Sequence, residues 1–155
     1  MAIKISGTTV IDDSRNIENV VDVTASNSVT ASSISSTGEL IAGSYNESYM
    51  NLTSSNNSVT IDCELGNSFS LTLTESTTVD FINPPAANTA YTLSLEVIQD
   101  SANTAYAVTW ANTVLWPDAT APTLTDTINA VDVFVFSTRD SGTVWYGFTA
   151  GQALG

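Results

Sequence analysis

Asp62 and Glu64 flank Cys63 in the stretch VTIDCEL, and two carboxylates one strand period apart are this chain's nearest approach to an acid–base pair. A glycosidase needs only an acid and a base or nucleophile at a suitable separation, so a carboxylate-dependent polysaccharide depolymerase stands as a remote alternative. Outward carboxylates side by side on a strand more often only solubilise it. The chain has no histidine, which removes Ser-His-Asp and Cys-His nucleophiles, imidazole bases and His-ligated metals. Its glycines are scattered singly, without a Walker loop or dinucleotide fingerprint, so nucleotide chemistry is not expected. Asp118, Asp126 and Asp132 surround the loop WPDATAPTLTDTINAVD with hard oxygen ligands suited to calcium, yet in no fixed ligand spacing. They read as ordinary loop aspartates, and the expectation is a non-enzyme with no catalytic residue, no metal and no cofactor.

Aromatic side chains offer a second kind of chemistry. Trp110 and Trp116 are the candidates for glycan contact, since exposed aromatic rings stack on sugars, although core packing is the commoner fate of so much apolar area. Cys63 is the single cysteine, which rules out an internal disulfide, and its place between Val59, Ile61 and Leu65 predicts a buried, inert thiol. Only Lys4, Arg15 and Arg139 are cationic, and a net charge of -13 repels phosphate backbones and anionic headgroups. Neither nucleic acid nor membrane is an expected partner. No apolar stretch is long enough for a membrane span, and the opening MAIKISGTTVIDD lacks the apolar region of a secretory signal.

The elements that must position these groups are strands. Serine and threonine number 43, and with asparagine they disfavour helix interiors, whereas Thr, Val, Ile and the aromatics suit a pleated surface. AIKI and TTVI, joined by Ser6-Gly7, predict a small hairpin; a helical turn over 15–20 competes with strand and stays open. Residues 24–57 are rich in Ser, Thr and Asn, with brief alternation at Val29 to Ile34 and Leu40 to Leu52. From Val59 the two-residue period is clear: Val59, Ile61, Cys63 and Leu65 are in phase, then Phe69, Leu71 and Leu73 after Gly66-Asn67, which reads as a hairpin. Further strands are predicted at Val79 to Ile82, Tyr91 to Ile98 and Ala105 to Trp110, around Trp116, and as a final pair closing over Arg139-Asp140-Ser141-Gly142. The expected fold is all-β, an antiparallel, jelly-roll-like β-sandwich over 58–155, preceded by an arm over 1–23 and a linker or short shaft over 24–57.

The final pair carries an anomaly. In VDVFVFSTRDSGTVWYGFTAG, Val131, Val133 and Val135 fall on one side of an extended chain and Phe134 and Phe136 on the other, so both faces need cover. A homotrimer around a threefold axis would supply it, as would N-terminal segments folded over a central hairpin.

Two segments resemble known proteins. The opening MAIKISGTTVIDDSRNIENV resembles the start of many small tail-fibre and structural proteins of tailed bacteriophages. The stretch over 108–155 is similar to a recurring terminal module of tail-fibre-like proteins: a Trp-Pro, then APTLT, a Val/Phe strand, a TRD-G-T turn and a WYGF strand. The resemblance implies a trimeric structural protein located in the virion, a small tail fibre or fibre-like adhesin for host attachment. It would dock to other virion proteins of the baseplate, tail or capsid through Ile3, Ile5, Val10, Ile11 and Arg15, with host surface glycan as a further partner. Val133, Phe134, Val135, Phe136, Trp145, Tyr146 and Phe148 are the expected trimer interface or core. Longer fibres carry a substantial shaft between the two segments, which this chain lacks, so a capsid decoration (head-fibre) protein is the alternative.

Overall fold

The computed structural model describes residues 3–5, 8–11, 29–31, 34–102 and 106–155. Two compact units divide the chain, Met1–Gly43 and Ser44–Gly155. In the first, β1 (Ile3–Ile5) and β2 (Thr8–Ile11) pair antiparallel, the hairpin expected there. Arg15 and the 15–20 segment lie outside the described residues. The described residues between 29 and 48 form no strand.

The second unit is all-β but for one 3-10 turn at Pro117–Ala119. Its strands are β3 (Tyr49–Leu52), β4 (Ser58–Asp62), β5 (Ser68–Thr72), β6 (Thr77–Ile82), β7 (Tyr91–Ile98), β8 (Val108–Trp110), β9 (Val114–Leu115), β10 (Val131–Thr138) and β11 (Trp145–Leu154). They form a six-stranded sheet in the order β3-β5-β7-β10-β11-β9 and a three-stranded sheet in the order β4-β6-β8. The unit therefore takes in β3, which lies within the stretch read as linker or shaft.

The pairing is mixed, which corrects the antiparallel, jelly-roll-like expectation. β3, β5 and β7 run parallel, as do β4, β6 and β8, while only β7-β10 and β10-β11 pair antiparallel within this unit. The chain steps from one sheet to the other and back, so that from β3 to β8 it winds as a flattened coil. Between β4 and β6, Val59 pairs with Val79 and Ile61 with Phe81, an offset of about 20 residues in this turn, the spacing of stacked repeats. Gly66-Asn67 is consequently a corner between sheets, and β4 and β5 do not make the expected hairpin. The physical reason lies in the corners. Asn56, Asn57 and Asn83 take the left-handed conformation that asparagine tolerates, turning the chain out of its sheet.

Alternation then fills the space between the sheets. Val59, Ile61, Phe69, Leu71, Val79, Phe81, Leu93, Leu95, Phe134, Phe136 and Trp145 are buried in one cluster. Phe81 sits at its centre, its ring centroid 4.5 Å from Trp145 and 4.9 Å from Phe136. Cys63 is buried as expected, and removal from water pushes its thiol up to about 11, so it is neutral and unreactive at ordinary pH.

One carboxylate is part of the framework. Asp132 is 2% exposed at the start of β10 and accepts hydrogen bonds from Thr125 N (2.7 Å), Thr125 Oγ1 (2.7 Å) and Ala153 N (3.0 Å). Burial by itself raises its pKa; the hydrogen bonds from Thr125, Ala153 and Gln152 together outweigh that and leave it below the usual aspartate range. A depressed carboxylate contributes stability above the unfolded pKa and loses it as pH falls through the folded one. Urea denaturation is therefore expected to show stability falling below about pH 4, with Asp132→Asn flattening that fall and costing about 2–4 kcal/mol at neutral pH, because Thr125 N and Ala153 N donate to different carboxylate oxygens and the amide must turn its NH2 towards one of them. An acid profile identical in the variant would contradict this role.

Candidate interaction surface

The two faces of β10 meet different surroundings. Phe134 and Phe136 are fully buried between the sheets, with Trp145 from β11 beside them. Of the residues expected at interface or core, these three are core. Val133, Val135, Tyr146 and Phe148 lie on the opposite, outer face, because register pairs Val135 with Phe148 and Ser137 with Tyr146, and paired residues point the same way.

That outer face divides along β7. On one side Ser70, Thr92, Ser94 and Glu96 make it polar, with Ser70 Oγ donating to Asn51 Oδ1 at 2.6 Å. On the other side it is apolar. Val131, Val133 and Val135 run down β10, half-buried by their neighbours. Phe148 and Leu154 from β11 are 50% and 48% exposed, and Leu115 from β9, paired with Tyr146, is 50% exposed. Tyr146 is less open, with the Arg139 guanidinium 5.5 Å from its ring centroid.

Leu115 and Leu154 were not legible as members of this face. Leu154 joins it through irregular register between β10 and β11, which pairs Val133 with Gly151 and Val131 with Leu154. A side chain at position 151 would stand 3.0 Å from Leu154 Cδ1, so glycine lets that leucine fold across. Gly147, on the inner face, does the same for Trp116, whose ring lies 2.8 Å from where a Cβ would be. The turn closing the pair is fixed by Asp140, which accepts from Thr138 Oγ1 and Val144 N, and by Gly142 at positive φ, as expected.

The other candidates are placed as follows. Trp110 and Trp116 are partly buried and pack on each other (centroids 5.6 Å apart) and on Phe136, so much of each ring is engaged in the aromatic cluster. Ile3, Ile5, Val10 and Ile11 lie in the N-terminal hairpin. Asp62 and Glu64 do not share a strand face: β4 ends at Asp62, whose Oδ1 accepts from Glu64 N and Asn83 Nδ2 as a turn anchor. Among the described residues no group of three or more Cys, Asp or Glu converges as a metal cluster, and Asp132 is spent on the hydrogen bonds above. No described helix is long and apolar enough to cross a membrane. Comparison with known proteins finds no matching family model, no similar curated protein and no similar solved structure.

The division of faces predicts opposite behaviour for two phenylalanines only twelve positions apart. Phe136→Ala should cost about 3–5 kcal/mol in urea denaturation. Phe148→Ser at high dilution should stay within about 0.5 kcal/mol and bind less of an apolar fluorescent dye than the parent chain. Equal destabilisation by both would mean that the outer face is part of the folding core.

Proposed function

We propose that this chain is a non-enzymatic structural protein of a tailed-bacteriophage virion, a small tail fibre or fibre-like adhesin. In this reading it assembles as a homotrimer, docks through its N-terminal arm to other virion proteins, and presents its β-rich unit outward, towards host surface glycans. The observation that carries the reading is the apolar half-face of β10 and β11, where Val131, Val133, Val135, Phe148, Leu115 and Leu154 form one surface on an acidic chain. Patches of this kind on a β-sheet mark a place where another protein packs. Cyclic closure of identical copies satisfies it without leaving a further sticky surface. The resemblance of the opening segment and of 108–155 to fibre-type proteins supplies the virion. Val29, Ile34, Leu40 and Ile41, exposed by 66–84%, fit a short shaft whose apolar side chains sister chains would cover.

Capsid decoration is the second reading, favoured by the short span between the N-terminal hairpin and β3. Light scattering should give a mass about three times the 16.3 kDa of one chain; a value of 16.3 kDa at micromolar concentration would contradict the trimer. Electron microscopy of labelled particles separates the two locations. Label on the tail supports the fibre, label over the head lattice supports decoration, and unlabelled particles would remove the virion reading.

A further inference from the structure

We infer that Arg139 is the charged anchor of the contact between copies, and that the group it meets is Glu96 of the neighbouring copy. The inference rests on the assembly proposed above and names the pair that orients it.

Its starting point is an isolated charge. The unit Ser44–Gly155 carries eleven carboxylates and a single cation, Arg139. Arg139 is exposed where β10 runs into the closing turn, and its guanidinium lies 5.5 Å from the ring centroid of Tyr146 on the outer face. It forms no salt bridge with any described residue. The adjacent Asp140 is engaged inside the turn by Thr138 Oγ1 and Val144 N. A lone guanidinium among so many carboxylates is left with its strongest contact, the bidentate carboxylate pair, unmade. Arg and Tyr beside an apolar patch are also the side chains that most often carry binding energy between proteins.

The outer face of the six-stranded sheet offers one carboxylate. Glu96 and Asp132 are the acidic residues in its strands, and Asp132 is buried. β7 turns Tyr91, Leu93, Leu95 and Val97 inward, so Glu96 points outward. Register pairs Glu96 with Val133, and Tyr146 with Ser137. Two strand spacings across and four residues along, roughly 16 Å, therefore separate the carboxylate from the guanidinium in one copy. Val133 and Val135 lie between them, so the two charges stand on opposite margins of the apolar strip.

Opposite charges on opposite margins suit one kind of contact. A head-to-tail arrangement, from which a closed threefold ring is built, joins one margin of each copy to the other margin of the next. It brings Arg139 against the neighbour's Glu96 with the valines covered between. Other approaches of two such acidic surfaces set carboxylate against carboxylate, so the pair fixes orientation as well as adding to affinity.

Analytical ultracentrifugation of the full-length protein tests this with Arg139→Glu, Glu96→Arg and the double exchange. Each single reversal is expected to weaken association by about thirtyfold or more, and the double exchange to recover it to within about threefold of the parent. Urea midpoints at high dilution should stay close to the parent's, which separates lost association from lost folding. Arg139→Gln removes the charge without adding repulsion and should weaken association in the same direction. Single variants that associate like the parent, or a double exchange as weak as the singles, would overturn the pair and leave the trimer standing. A parent chain that stays monomeric would overturn both.

Discussion

Strand β10 has to satisfy two apolar faces at once, and the rest of the unit is arranged around that requirement. Its inner face carries Phe134 and Phe136 into the space between the sheets, where Phe81, Trp110 and Trp145 close around them. Aromatic groups bury so much area that this cluster dominates the cohesion of the core. The parallel coil of β3 to β8 brings Phe81 opposite β10, because each turn delivers one strand to each sheet. The same strand, with β9 and β11, leaves valines and larger apolar groups on the outside.

Much of this was legible in the residues, and the part that was not has a specific cause. Tyr91–Ile98, the final strand pair and the N-terminal hairpin follow from two-residue alternation, glycine and turn chemistry. Parallel winding does not, since alternation reads alike whichever way the neighbouring strand runs. The usable signals were the recurrence of Val59/Ile61 as Val79/Phe81 and the asparagines at the corners. Later turns lengthen, with Thr77 pairing to Val108, and that irregularity conceals the repeat.

The interaction surface was half legible. The alternation of β10 separated the valines from the phenylalanines, whereas Trp145, Tyr146 and Phe148 were expected together as interface or core, and it is the β10–β11 register that puts Tyr146 and Phe148 with the valines. Leu115 and Leu154 depended on a parallel β9–β11 pairing and on irregular register, neither of which has a local sequence mark.

The central claim is that copies of the chain cover the outer face of β10 and β11. Its most direct test is a nitroxide placed on Ala150→Cys, an exposed position on β11, with Cys63 shielded by burial. Double electron–electron resonance on the purified protein should then show one narrow inter-copy distance, short enough to lie within a single assembly and equal for each pair of a threefold set. A decay with no defined distance at the same concentration would contradict the account and leave that face open to solvent.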